Sequence, residues 1–145
     1  PGSHRVLHRN VPGEDQPVWN YNCVEFFVVP EATFTTAFEL NVSSVNGRFD
    51  NRSNWNDVGT GGFDGEWQSG AFMDSDELVV EYSMPWSDFG VMQTPSQNDY
   101  WAAQIIRVQH HVSEDGEDVS GEFSVTELLW RNFHRTQDGF LIRFD

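Results

Sequence analysis

The chain has 145 residues, with 12 Phe and 6 Trp, enough for one domain that buries roughly 70% of its unfolded surface. Its 23 acidic residues face 8 basic ones, all arginine, for a net charge of −15, a balance that repels nucleic acid and anionic membranes. No apolar run approaches the ~20 residues of a membrane span, and a single cysteine, Cys23, excludes an internal disulfide or a cysteine zinc cluster.

So acidic a surface also repels itself, and salt screens that repulsion. The expectation is either a saline source or working medium, or an ordinary acidic protein. Pro1 to Ser3 reads as a cloning remnant. Cys23, in an apolar neighbourhood, reads as an inert buried thiol.

In chain order, the first strong element is "VWNYNCVEFFVVP", 18–30. Val24, Phe26 and Val28 alternate with Cys23, Glu25 and Phe27, so one face of this strand is apolar and the other mixed. The next strand sets Phe34, Thr36, Phe38, Leu40 and Val42 against Thr35, Ala37, Glu39 and Asn41. Residues 43–70, polar and rich in glycine, read as a long surface excursion containing the Asn46-Gly47 turn. Leu78, Val80, Tyr82 and Met84 alternate with Val79, Glu81 and Ser83. "PWSDFG", 85–90, suits a single helical turn with Pro85 near its start. Residues 100–109, "YWAAQIIRVQ", form a long buried strand, and 121–130 and 139–144 supply the last two. Many short strands with turn signals between them predict an all-β antiparallel sandwich, jelly-roll or immunoglobulin-like, as one domain over 1–145.

Glu25 is the residue that a plain core strand does not need. Period two places it opposite Val24 and Phe26, and places Glu39 and Asn41 opposite Phe38 and Leu40. If the two strands are neighbours, these polar groups share one sheet surface, a shallow groove with an apolar floor. A carboxylate there requires partners. Arg107 on the long strand is the candidate, either as an internal ion pair that binds nothing or as part of a site where Glu25 accepts bonds from two sugar hydroxyls. Trp19, in a loop-like stretch after Pro17, can project beside the groove and stack on the C–H face of a pyranose; Trp is equally the natural wall of a core. Trp67, Trp86 and Trp101 read as packing.

Five stretches occur in order: "VWNYNCVEFFVVP", "FTTAFELNVSSVNGRFD", "LVVEYSMPWSDFG", "YWAAQIIRV" and "LLWRNFHRTQDGFLIRF". Together, over about residues 17–144, they resemble the family 9 carbohydrate-binding modules. The resemblance implies a β-sandwich that binds a neutral glycan or its reducing end between two aromatic walls, without catalysis. Trp19 matches one wall and Glu25 the hydroxyl-binding glutamate. Asn41 matches the strand asparagine, and Gln104 or Arg107 falls where a polar donor enters the site. Trp130 or Phe133 would be the second wall. Two features depart from the family: its strands before the Trp have no counterpart here, and Glu39 stands where sugar-binding members can carry arginine. The module would be part of a larger secreted protein, extracellular or at a cell surface.

No cofactor is required by this reading, although the resemblance brings structural calcium with it. Asp115, Glu117 and Asp118, with Glu122, follow a turn and offer hard oxygen ligands, or form a solvated acidic loop. The rival class is an enzyme: Glu25 and Glu39 as a glycosidase pair, or His110-His111 as a base beside Gln104 and Arg107. A haem-binding sandwich would need an axial ligand, for which Met73, Met84 and Met92 have no clear placement. The expected partner is carbohydrate, with no nucleic acid and no membrane; the oligomeric state is left open.

Overall fold

The computed structural model describes residues 5–6, 14–30, 36–54, 57–74, 77–91, 93–113, 115–124 and 139–145. Ten strands occur among the described residues: β1 (Arg5–Val6), β2 (Cys23–Val29), β3 (Thr36–Ser43), β4 (Arg48–Asn54), β5 (Asp57–Gly61), β6 (Gln68–Met73), β7 (Leu78–Ser83), β8 (Tyr100–Val112), β9 (Asp118–Ser124) and β10 (Phe140–Arg143). Two 3-10 turns, Val18–Asn20 and Trp86–Phe89, complete the described elements, and no α-helix occurs among them. Among the described residues no helix is long and apolar enough to cross a membrane.

Every strand pair is antiparallel, and two sheets pack as a sandwich. The large sheet runs β1-β8-β2-β3-β4-β5, and β8 also takes β9 and β10. β8 reaches this many partners because it is 13 residues long. β2 lines one edge from Ala102 to Val108. β10 and then β9 line the other edge, over Tyr100–Ala103 and Ile106–Val112.

The alternation in β2 and β3 sorts side chains as the sequence predicts. Register pairs Glu25 with Asn41, Phe26 with Leu40 and Phe27 with Glu39. On the Phe26 face, Leu40, Val42 and Trp67 are buried with Phe26, Ala71, Val80 and Tyr82 around them. This is the core between the large sheet and the β6–β7 sheet. Further along, Val28, Phe38 and Trp101 form its continuation with Phe89 and Phe144. Each such fully buried aliphatic side chain contributes about 1.5–3 kcal/mol.

The stretch 43–70 is not a surface excursion throughout, as its polarity suggests. It carries β4, β5 and the start of β6. The Asn46-Gly47 pair turns the chain between β3 and β4, with Asn46 at φ 59°, the left-handed conformation that such a hairpin turn needs. Charged residues on the core side of β4 find partners in Trp67. Arg48 donates to the Trp67 carbonyl at 2.6 Å and lies 5.2 Å over its ring, while Asp50 Oδ2 accepts from Trp67 Nε1 at 2.5 Å. The predicted helical turn at 85–90 is the 3-10 turn Trp86–Phe89, capped by Gly90 at φ 73°. Of the predicted strand 121–130, residues 125–130 lie outside the described residues.

Candidate functional site

The second face of the large sheet, opposite the Phe26 face, is where the polar residues gather. Strand register puts Cys23, Glu25, Phe27, Glu39, Asn41, Gln104, Ile106 and Val108 on it together. β4 adds Phe49, opposite Asn41, and Asn51, opposite Glu39. Glu25, Glu39 and Asn41 therefore share one surface, as the sequence argument requires.

That surface is not an open groove at its centre. Glu25 is 3% exposed, and Asn41 and Gln104 are 0% exposed. The 3-10 turn Val18–Asn20 lies over one end of it. Val18 packs with Cys23, Phe27, Ile106 and Val108, joined by Tyr21 and Phe49. Cys23 is a fully buried thiol.

The turn delivers Trp19 to the rim. Its indole is 41% exposed, so it is not a core wall, and its edge meets Phe49 with ring centroids 4.9 Å apart at 85°. The turn is fastened to β8 by a polar clasp. Asn22, buried, accepts from the His110 backbone N–H at 3.0 Å and donates to the His110 carbonyl at 3.2 Å. His110 Nε2 lies 3.2 Å from the Trp19 carbonyl, and its Nδ1 lies 3.6 Å from Asp118.

Next to Phe49 on the same face the residues are polar: Asn41 is fully buried, and Glu39 and Asn51 are half-buried. Asn41 Nδ2 donates to Glu39 Oε1 at 2.8 Å. Burial raises the Glu39 carboxyl above its ordinary value, and bonds from Asn41 and Asn51 partly offset this. A strip thus runs along the β3–β4 edge of the face: indole, phenyl ring, amide, carboxylate. It has an apolar end for a C–H surface, and donors and acceptors for hydroxyls at the other end. Phe49 and Asn51 were not singled out in the sequence; the signal was their alternation with Arg48, Asp50 and Arg52 after the Asn-Gly turn.

Arg107 does not join Glu25. Register sets Arg107 opposite Val24 and Glu25 opposite Ile106, so the two side chains leave opposite faces of the sheet. The guanidinium instead donates to the carbonyls of Cys23 at 3.2 Å and Val108 at 2.9 Å, and burial lowers its pKa. Gln104 is on the Glu25 face. Trp130 and Phe133 lie outside the described residues. Asp115, Glu117 and Asp118 are exposed at the turn between β8 and β9. Among the described residues no group of three His, Cys, Asp or Glu is placed to hold a metal ion. Glu25 and Glu39 share a face, but Glu25 is closed to solvent and the pair does not flank an open cleft.

No protein-family model matches the chain, and no curated protein does. Among solved structures, a protein from Bacteroides uniformis, provisionally described as carbohydrate-binding, is similar with a TM-score of 0.56 at 15% identity. The match covers 92% of this chain and 65% of the other, so this chain spans about two thirds of that protein's length. At this identity the likeness shows a shared fold.

Proposed function

We propose that the protein binds a neutral carbohydrate without transforming it, as a module of the family 9 type. The observation that carries this reading is the solvent-open Trp19 indole, held edge-on by Phe49 on the face that also carries the half-buried Glu39 carboxylate and Asn51 amide. A pyranose offers the matching pattern, an apolar C–H face and a ring of hydroxyls. The likeness to a protein described as carbohydrate-binding supports the reading at the level of fold. The acidic balance of the chain favours neutral ligands over anionic ones.

In this reading Trp19 stacks, and Glu39 and Asn51 exchange hydrogen bonds with hydroxyls. Glu25, Asn41 and Gln104 lie beneath and hold those groups in place. Each hydroxyl contact replaces a water contact at small net gain, so affinity is modest.

Soluble neutral glycans, titrated while tryptophan fluorescence is followed, test it. Trp19→Ala is expected to weaken binding about tenfold and to leave the circular dichroism spectrum and the melting temperature nearly unchanged, because the indole is solvent-exposed. Equal affinity of Trp19→Ala and the parent protein would remove the reading, as would unsaturated or newly reducing products accumulating during the incubation.

A further inference from the structure

At the far end of β8 lies a cleft of about 580 Å³, within the size range of small-ligand sites. Its walls are Gly90, Val91, residues 93–96, Asn98 and Asp99, with the first residues of the long strand. Tyr100 is 45% exposed there, and Trp101, 4% exposed, closes the floor. The floor is stiff: Trp101 meets the rings of Trp86, Phe89 and Phe144 at 5.6, 5.0 and 5.1 Å between centroids.

The polar wall is equally fixed. Asp99 Oδ2 accepts from the Ser96 N–H at 2.6 Å, and the Asp99 N–H donates to the Ser96 carbonyl at 3.0 Å. The turn is pinned to the C-terminal strand by Asn98 N–H to the Phe144 carbonyl at 2.8 Å and Phe144 N–H to the Asp99 carbonyl at 3.1 Å. Asn98 holds φ 70°, a left-handed conformation that asparagine tolerates. Among the described residues, no side-chain hydrogen bond engages Gln93, Thr94 or Asn98. Among the described residues, no arginine or histidine lines the cleft. A phosphate or carboxylate ligand would find no cation among these lining residues to anchor it, in a chain of net charge −15.

From these observations we propose a second saccharide site in this cleft, with Tyr100 as the stacking ring and Gln93, Asn98 and Asp99 as hydroxyl partners. An aromatic face beside amides and one carboxylate, with no basic group among the described lining residues, fits a neutral polyhydroxylated ring. Preformed walls lower the ordering cost of binding. The strand from Tyr100 to His110, beside which Trp19 sits, spans roughly 30 Å at about 3.3 Å per residue. The two sites therefore share a ligand class but no residue, and a long glycan could engage both.

Side-chain amide signals of ¹⁵N-labelled protein, titrated with glucose, xylose, cellobiose and xylobiose, separate the two sites. The expected result is a saturable shift of the Gln93 and Asn98 amides with at least one of these sugars. It should persist in Trp19→Ala and weaken about tenfold in Tyr100→Ala. If Tyr100→Ala fails to fold, Gln93→Ala serves in its place, since Gln93 is exposed and its side chain packs into no core cluster. Shifts confined to Asn51 and the Trp19 indole would overturn the second site and leave the proposed function standing. Amides that stay still at both sites with all four sugars would overturn both.

Discussion

Glu39 carries a charge that costs the fold stability, and the proposed function gives that charge a use. Its carboxylate is half-buried on β3 and faces two amides, Asn41 and Asn51, yet burial outweighs them and raises its pKa above the ordinary value of about 4.5. The folded chain therefore holds this proton more tightly than the unfolded chain does. The contribution of Glu39 to stability is most favourable below the unfolded value. It falls as pH rises from about 4.5 through the raised folded value, and above that the ionised group carries a constant cost. Glu39→Gln removes the charge and keeps an oxygen that can accept from Asn41 Nδ2. Its melting temperature is expected to exceed that of the parent by about 2–4 °C at neutral pH, with the gap closing as the solution is acidified below pH 4.5. Calorimetry over that range measures it. A lower melting temperature for Glu39→Gln at neutral pH would mean that the two amides more than compensate the burial. Under the proposed function the same variant loses sugar affinity, because an amide offers one acceptor oxygen where a carboxylate offers two. A position where charge costs stability and aids binding is the pattern expected of a functional group.

At the scale of strands, β7 is tied to β2 across the core by Tyr82. Its hydroxyl donates to the Val24 carbonyl at 3.0 Å, its ring lies 5.6 Å from Phe26, and it stacks on Trp67 at 6.0 Å. Burial, and then the nearby Cys23 and Glu25, push the phenol far above its ordinary value, so it stays a donor. Tyr82→Phe keeps the rings packed and removes this one bond to the carbonyl. A loss of about 1 kcal/mol in urea unfolding is expected, with the midpoint shifted and the slope unchanged. No loss would show that Val24 does not depend on this bond. The strands β2, β3 and β7 were legible because their apolar residues recur at every second position, and β8 because it is a long, mostly apolar run buried on both faces over its first half. β4 was not, because its core-side residues are Arg48, Asp50 and Arg52, and the indole that makes Arg48 and Asp50 tolerable there, Trp67, comes from another part of the chain. The candidate site divides in the same way. That Glu25, Glu39 and Asn41 share a face follows from period two within neighbouring strands. The parity that parts Arg107 from Glu25 depends on the β2–β8 register, a long-range match that alternation alone does not set. The closure of Glu25 depends on what lies over the sheet, which local pattern does not encode.

For the whole molecule, charge is the dominant global term. Net charge stands at −15, and acids crowd even where cations are available. Asp50 has its pKa raised first by burial and then by Asp15 and Asp64, while Glu14 pairs with Arg48 on the same corner. Such repulsion destabilises the compact state more than the expanded one, and it is screened when the Debye length shrinks from about 30 Å at 0.01 M salt to about 3 Å at 1 M. Raising sodium chloride across that range is expected to raise the melting temperature by several degrees, and Asp64→Asn, which removes one of the charges facing Asp50, is expected to reduce the response. A flat or falling melting temperature would show that self-repulsion does not limit this fold, and with it the case for a saline habitat would lose its physical basis. The same titration bears on the ligand. A neutral sugar gains nothing from screening, so affinity measured beside the melts should change by less than about twofold. An anionic ligand, approaching so negative a surface, would bind markedly tighter in high salt. Stability that climbs with salt while affinity holds level is the joint outcome that a neutral-glycan module on an acidic sandwich requires.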